Sequence, residues 1–211
     1  IIRNEEGGEI SRFYGYVADG IFQNQTEVNA HTDEYGTVIQ PNAQPGDIRF
    51  KDLNHDGKLD DNDKTFIGNA FPDLMVGINA RLAWKNIDFA ANFYGTIGND
   101  VYNTTKGRYS GVSGENVYAG TYNASWHGEG TSYDLPRLSY NDANQNWTRV
   151  SSFYVEDGSY LRCKQLQIGY TLPKKWTKKI SLRLSFSAQN PFTITGYSGM
   201  DPEAAALGTE G

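Results

Sequence analysis

Oxygen-bearing side chains recur at nearly alternate positions in the stretch DLNHDGKLDDND, residues 52–63. Counted from the first aspartate, a twelve-residue calcium loop places its ligands at positions 1, 3, 5, 7, 9 and 12. These positions are occupied here by Asp52, Asn54, Asp56, Lys58, Asp60 and Asp63. Lys58 stands where a backbone carbonyl is used, and Gly57 at position 6 permits the sharp turn. The spacing therefore predicts a Ca²⁺ site built from hard oxygen ligands.

This loop resembles that of an EF-hand, but its surroundings differ. Position 12 is Asp63 rather than the longer Glu that usually binds in a bidentate manner. Residues 46–50 (GDIRF) are typical of a strand entering the loop, while Gly68 and Pro72 leave no room for a full helix after it. Without a helix pair the loop cannot open as a sensor. We predict a structural calcium clip with weak affinity, about 10⁻⁴–10⁻³ M, and an Asx-rich solvated turn is the alternative.

Four strands are predicted from apolar residues at every second position. The apolar positions of the first pair are Leu74, Val76, Ile78, Ala80, Leu82 and Trp84, then Ile87, Phe89, Ala91, Phe93 and Ile97. Those of the second pair are Leu166, Ile168, Tyr170 and Leu172, then Ile180, Leu182, Leu184, Phe186 and Ala188. Lys85 and Asn86 alone separate the first two strands, which predicts a tight hairpin, and Pro173–Lys179 is a short basic turn.

Short turns therefore join the strands at one end, and long segments join them at the other. The longest, Gly98–Gly158, has no sustained periodicity, which is unusual in a compact domain unless the segment is functional. Outer-membrane barrels have short periplasmic turns, long external loops and strands of about 9–11 residues with apolar side chains outward. Trp84 and Trp176 lie near the short-turn end, where an aromatic girdle is expected.

We predict an all-β fold, namely antiparallel strands of a large transmembrane β-barrel with long external loops, of which the chain, residues 1–211, is a fragment. The alternative is a soluble, secreted, calcium-stabilised β-sandwich that binds glycans, with the apolar strand faces in a shared core. A third possibility is an accessory domain of an enzyme.

Composition and motifs exclude several other functions. The formal net charge of −6 comes without a basic stripe, so we expect no nucleic-acid partner. Cys163 is the single cysteine and is interpreted as a small packing residue. His31, His55 and His127 are isolated, and no nucleophile, phosphate-loop or dinucleotide motif stands in a supporting context. We therefore expect no catalytic residues and a protein that is not an enzyme.

Aromatic residues are frequent in the long segment and form a candidate carbohydrate- or peptide-contacting surface. They are Tyr109, Tyr118, Tyr122, Trp126, Tyr133 and Trp147. The alternative is that these rings pack the segment onto itself, as in compact functional loops. The sequence does not identify the residues that bind a substrate.

Five segments together resemble one family, the SusC/RagA-type TonB-dependent outer-membrane transporters, in their C-terminal part. The segments are FYGYVADGIFQ (13–23), PGDIRFKDLNHDGKLDDNDKTFIGNAFPD (45–73), FYGTIGNDVYN (93–103), SSFYVEDGSYLRCKQLQIGYTLPKKW (151–176) and SAQNPFTITGYSGMDPE (187–203). They stand in the family's order and cover most of the chain.

The resemblance implies a large barrel in the outer membrane of a Bacteroidetes-like Gram-negative bacterium. It implies a plug domain, energy from a TonB complex through a missing N-terminal part, and a SusD-like surface lipoprotein as a lid. The imported nutrient would be glycan oligosaccharides or, in some members, peptides. On this interpretation Arg81, Asp88, Asn92 and Arg183 would face the lumen, and the apolar strand faces would meet lipid.

Overall fold

The structure, a computed structural model, describes residues 1–109, 116, 117, 119–178 and 180–205. Its strands are β1 (Ile2–Arg3), β2 (Arg12–Tyr16), β3 (Ala18–Ile21), β4 (Ile48–Phe50), β5 (Lys64–Asn69), β6 (Leu74–Trp84), β7 (Ile87–Ile97), β8 (Asp100–Tyr102), β9 (Val155–Asp157), β10 (Tyr160–Thr171) and β11 (Arg183–Thr195). The α-helices are short: α1 (Gln25–Ala30), α2 (Thr121–Ala124), α3 (Lys174–Thr177) and α4 (Pro202–Ala205). Within the described residues, no helix is long and apolar enough to cross a membrane.

The chain divides into two compact units, each built from two separate segments. Ile1–Ala70 and Val101–Glu156 form the first, which we call the loop unit. Phe71–Asp100 and the chain from Asp157 onward form the second, the strand unit. The long segment predicted to lack periodicity thus folds mainly with the first seventy residues, and its described residues include α2 and two 3₁₀ turns.

The strand unit is one antiparallel sheet in the order β11-β10-β7-β6. β6 and β7 have the predicted bounds and pair from Leu74 with Ile97 to Trp84 with Ile87. Lys85 has a φ of 56°, a left-handed conformation that a two-residue hairpin turn needs. The prediction of a tight hairpin at Lys85 and Asn86 is confirmed.

Irregular pairing in β10 and β11 keeps the apolar side chains on one face. Cys163 pairs with Phe93 of β7, and the next pair joins Gln165 to Asn92, so Lys164 is an extra residue in β10. Without it, the alternation would place the residues beyond on the opposite face. Cys163 itself is fully buried, which agrees with its interpretation as a packing residue.

β10 and β11 differ from their predicted bounds. β10 begins at Tyr160, and β11 runs from Arg183 to Thr195 rather than from Ile180 to Ala188. Alternation is lost at the irregular pairing after Gln189, and resumes with Phe192. Pro191, which has no N–H to donate, lies in β11, an outer strand of this sheet, where proline is tolerated.

The loop unit holds small sheets around two apolar clusters. β1, β2 and β5 form one sheet, and β3 pairs with β4. Ile48 and Phe50 of β4 pack with Tyr16, while Phe22 packs with Val28 and Ala43. Phe22 and Phe50 are completely buried. These clusters are small, so the unit also depends on polar contacts.

A glutamine side chain completes the outer edge of β4. Gln40 donates Nε2 to the Ile48 carbonyl at 3.0 Å and accepts the Phe50 N–H on Oε1 at 2.7 Å. A neighbouring strand would satisfy the same two groups, so the amide replaces one peptide unit. Asn144 and Asn146 bond the carbonyl and the N–H of Ile48. The short edge strand is therefore left with few unpaired backbone groups.

An ion pair lies at the centre of this polar network. Asp47 is fully buried and accepts from Arg137 Nε at 2.6 Å and from Asn146 Nδ2 at 2.8 Å. Its other oxygen accepts the backbone N–H of Gln44 at 2.8 Å. A buried carboxylate is tolerated when every lone pair has such a partner. The network joins residues almost one hundred positions apart in the chain.

Candidate functional site

The acidic loop lies in the loop unit between β4 and β5. The strand β4 rather than a helix leads into it, and a 3₁₀ turn, Asp61–Asp63, leads out into β5, as the sequence predicts. Gly57 has a φ of 78°, and a Cβ on it would collide with the Asp33 carboxylate. Glycine is thus required at position 6 for both its backbone conformation and its close packing.

Asx-type hydrogen bonds curl the loop. In each, a side-chain oxygen accepts a backbone N–H two or more residues further on. They run from Asp56 N to Asn54 Oδ1 (3.1 Å), from Lys58 N to Asp56 Oδ1 (3.0 Å), from Asn62 N to Asp60 Oδ1 (2.8 Å) and from Gly57 N to Asp52 Oδ2 (2.8 Å). The residues predicted as side-chain ligands at positions 1, 3, 5 and 9 are those that shape the loop.

Asp63, at position 12, has a structural role in the loop that does not depend on a metal ion. It is completely buried; Oδ1 accepts the Leu53 N–H and Oδ2 the Asp60 N–H, both at 2.8 Å. Asp60 and Asp63 form a reciprocal capping box around the 3₁₀ turn. Asp63 therefore closes the loop by bonding its backbone at both ends.

Two observations bear on whether the acidic loop fits a cation. Among the described residues, no group of three or more His, Cys, Asp or Glu side chains is arranged to hold a metal. Asp52 is only 8% exposed, however, and its buried Oδ1 has no hydrogen-bond partner. A buried carboxylate oxygen without a partner is costly, and a cation or ordered water would satisfy it. The donor set, carboxylates with one amide and one carbonyl, suits Ca²⁺.

Polar residues of the strand unit share one face of the sheet, as predicted. Arg183 donates Nη2 to Asp88 Oδ2 at 2.5 Å, and Gly169 lies beneath this ion pair, where a Cβ would collide with both partners. Asn92 bonds Gln165 at 3.2 Å. The face carries charged and amide groups paired across three strands.

The opposite face is apolar and exposed. Its large side chains include Leu74 (53% exposed), Ile78 (49%), Leu82 (67%), Trp84 (67%), Ile168 (47%), Leu184 (59%) and Phe186 (67%). Monomeric soluble proteins rarely show a contiguous apolar surface of this kind. The strand faces therefore do not form the shared core that a soluble sandwich requires, and that alternative is wrong for this chain.

The aromatic residues of the long segment are divided between packing and exposure. Trp126 lies against Gly46, where a Cβ would meet its ring, and Trp147 is buried edge-on against Phe153. Tyr122 and Tyr133 are 63% and 67% exposed and remain candidates for ligand contact. The Tyr109 side chain and Tyr118 lie outside the described residues.

Two groups of residues were missed by the sequence reasoning. One is the buried network around Asp47; the other is a cleft of the loop unit lined by Lys58 and Arg149. Neither has a motif or a period, because its members come from segments far apart in the chain. Lys58 was chosen for its carbonyl alone, and nothing around Arg149 in the sequence distinguishes it from a surface arginine.

Known proteins resemble this chain over nearly its whole length. TonB-dependent receptor P3 of Formosa agariphila is 35% identical over 94% of this chain and 19% of its own length. TonB-dependent receptor SusC of Bacteroides thetaiotaomicron is 26% identical over 93% of this chain and 20% of its own. The chain thus spans about a fifth of the length of these curated relatives. No family model matches.

Among solved structures, a chain of the RagAB peptide transporter superposes with a TM-score of 0.68 at 21% identity. The match covers 97% of this chain and 22% of that one. The fold and the exposed apolar face together define antiparallel strands and loops of a large transmembrane β-barrel, of which this chain is a fragment. The predicted resemblance to the SusC/RagA-type TonB-dependent receptors is confirmed.

Proposed function

We propose that this chain is part of an outer-membrane, TonB-dependent importer of nutrients. The observation that carries the proposal is the sheet with one exposed apolar face and one polar, ion-paired face. Barrel strands in a membrane alternate in this way, because one face meets hydrocarbon and the other the lumen. The relatives named as TonB-dependent receptors support the same role and are not named as enzymes.

In this proposal the strand unit is a section of the barrel wall. Leu82 and Phe186 would contact lipid, while Arg81, Asp88, Asn92 and Arg183 would face the lumen. Trp84 stands at the short-turn end with Lys85 stacked on its ring at 4.6 Å, an arrangement suited to a membrane–water interface. The strands pass the nutrient without chemical change, so no residue acts in catalysis.

The loop unit would lie on the external side and take part in binding. Its partners would be a SusD-like surface lipoprotein and the nutrient, either glycan oligosaccharides or peptides. A neighbour titled as a peptide transporter supports the second class. Energy would come from the TonB complex through parts of the receptor beyond the matched fifth.

The acidic loop would bind Ca²⁺ as a structural clip. Asp52, Asn54, Asp56, Asp60 and the Lys58 carbonyl would supply ligands, with Asp63 contributing or closing the loop. The ion would satisfy the orphaned Asp52 Oδ1 and stiffen the external surface. Titration of Ca²⁺ into the full-length receptor should slow hydrogen exchange in residues 52–63, with half-saturation near 10⁻⁴–10⁻³ M, and Asp56→Ala should abolish the effect. If Ca²⁺ changed the exchange of residues 52–63 equally in the wild type and in Asp56→Ala, the proposed calcium site would be wrong.

Uptake by the intact bacterium tests the transport function. A strain that lacks the full-length receptor should lose accumulation of a labelled oligosaccharide or oligopeptide, and the complete gene should restore it. A complementing gene without residues 71–100 should fail, because the barrel wall would be open. Unchanged accumulation of every labelled nutrient in the deletion strain would contradict an importer role.

A further inference from the structure

A cleft of about 420 Å³ opens in the loop unit beside the acidic loop. Three segments line it: residues 37–42, residues 57–59, and Ala143, Asn144, Gln145 and Arg149. Its size is that of a site for a small molecule or for one residue of a polymer. The segments are brought together only by the fold.

The charge of the lining is opposite to that of the chain. The sequence has 25 acidic and 19 basic residues, yet the lining includes Lys58 and Arg149 and neither Asp nor Glu. The remaining polar side chains are amides and a hydroxyl. An acidic protein that concentrates two cations in one cleft without a carboxylate offers a local site for an anion.

Of the two cations, Arg149 would gain more from an anionic ligand, because it is half buried and has no ion pair. Its Nε and Nη2 approach Gln145 Oε1 at 3.4 and 3.3 Å, and its Nη1 is buried with no hydrogen-bond partner. No carboxylate among the described residues lies within ion-pair distance of it. Burial lowers the pKa of this guanidinium, and the more distant charges of Asp142 and Asp63 offset only part of that effect. Charges in such positions normally have a partner.

The aromatic rings beneath Arg149 explain its orientation but not its missing partner. Its guanidinium carbon lies 4.7 Å from the Tyr16 ring centroid and 4.9 Å from that of Phe50. This cation–π contact holds the plane of the group, as a recognition site requires. The rings supply no negative charge, so the guanidinium as a whole still lacks an anionic partner.

The second cation of the cleft, Lys58, is exposed, and the polar side chains near it are held in place. Lys58 is exposed and has no ion pair among the described residues, and its side chain is not used by the calcium loop. Gln40 and Asn144 are fixed by bonds to β4 and to each other at 2.8 Å. Both amides use their hydrogens within the unit, so they shape the cleft, and the exposed amides of Asn42 and Gln145 remain to meet a ligand.

We propose that this cleft binds a carboxylate group of the imported nutrient, from either an acidic oligopeptide or an acidic oligosaccharide. The inference rests on the proposed import function and specifies the chemical class of its ligand. Arg149 would supply the fixed charge and Lys58 an adaptable one. The exposed amides of Asn42 and Gln145 would bond the neighbouring polar groups of the same ligand.

Binding by the full-length receptor with its lipoprotein partner distinguishes the two sources. The first pair of ligands is a glutamate-rich octapeptide and the same peptide with glutamine in place of glutamate and an amidated C-terminus. The second pair is an oligogalacturonate and its methyl ester. Calorimetry should detect binding of at least one acidic ligand, and its neutral counterpart should bind about tenfold more weakly, the loss of one charge-assisted hydrogen bond. Equal binding within both pairs, or no binding of either acid, would overturn the proposal.

Matched variants locate the site. Lys58→Gln changes an exposed side chain and should weaken the acidic ligand about tenfold, as should Arg149→Gln, while Lys51→Gln, outside the cleft, should not. Arg149→Gln also removes a contact with the Tyr16 ring and could disturb folding. Lys58→Gln changes only an exposed side chain, so it tests the site independently of that effect. Wild-type affinity in Lys58→Gln and Arg149→Gln would place the acid elsewhere. That result would leave import itself intact, since uptake and lipoprotein binding are measured separately.

Discussion

The loop unit and the strand unit treat polar and apolar side chains in opposite ways. The loop unit buries the aromatic residues Phe22 and Phe50 and also the carboxylates of Asp47 and Asp63 completely. The oxygens of both carboxylates accept hydrogen bonds from within the unit. The strand unit leaves Leu82 and Phe186 each 67% exposed on one face of its sheet. The difference follows from the surroundings we propose for each, water for the first and hydrocarbon for the second.

The comparison teaches that long membrane strands and long loops need different means of stability. In a membrane, strands satisfy their backbone by pairing, and exposed apolar side chains cost nothing. A loop region in water has little apolar surface to bury, so it uses ion pairs, amides and Asx turns to fix its course. The two units should therefore respond to different substitutions.

The largest effect is expected from Asp47→Ala in the loop unit. Removal of the carboxylate leaves Arg137 and Asn146 without their partner, and the loss of one member of a buried ion pair costs about 3–5 kcal/mol. Hydrogen exchange of the full-length receptor should show faster opening throughout residues 40–50 and 137–147. Asp19→Ala, which removes exposed contacts to Arg49 and Lys51 at 3.5 Å, is the control and should change little.

A pair of neighbouring substitutions tests the assignment of the sheet faces. Ile78→Arg places a charge on the apolar face and should destabilise the inserted barrel by about 2–4 kcal/mol if that position is near the bilayer midplane. Asn79→Arg, one residue on and on the polar face, should be tolerated. Urea unfolding of the receptor in lipid vesicles measures both. Equal destabilisation by the two variants would contradict the lipid-facing assignment.

A smaller loss is expected for Gln40→Leu, which keeps the bulk of the side chain but removes the amide that completes β4. The Phe50 N–H then lacks its acceptor, at a cost of about 1–3 kcal/mol. Faster exchange should be confined to the peptide that contains Phe50. Gln25→Leu, where the amide makes one exposed bond to Asn29, should leave exchange unchanged, and a global effect of Gln40→Leu would refute the local role.

The smallest effect concerns pH and His31. Burial lowers the pKa of His31, whose ring nitrogen contacts the Phe50 carbonyl at 3.1 Å. The unfolded chain therefore binds the proton more readily, so stability from this residue is complete above the ordinary pKa of about 6.5 and declines as pH falls below it. Relative to the intrinsic exchange rate at each pH, His31→Gln should reduce the loss of protection in residues 25–50 that we expect between pH 7 and pH 5. An identical pH response in the variant would show that other groups control it.

Strand positions in this chain were predictable because they depend on local alternation. β6 and β7 were predicted to the residue, since apolar residues recur at every second position along most of each strand. The start of β10 was not, because the extra residue Lys164 breaks its period. The end of β11 was missed because Asn190 and Pro191 interrupt the apolar positions before Phe192. A bulge is defined by the pairing between two strands, so the sequence of one strand alone does not reveal it.

The acidic loop was predictable in its shape and less so in the use of its residues. Gly57 and the Asx turns follow from spacing alone. That Asp63 bonds the Leu53 and Asp60 backbone, and that Asp33 packs on Gly57, depends on neighbours outside the motif. Calcium binding itself stays a prediction.

The sequence by itself determined the alternating strands, their turns, the loop spacing and the resemblance to SusC/RagA-type receptors, because each is encoded in residues close together or in fixed order. Only the tertiary structure decided that the apolar faces stay exposed, that Asp47 meets Arg137 ninety positions away, and that Lys58 and Arg149 share a cleft. Contacts of this kind depend on where distant segments cross, and no local period or motif records that crossing.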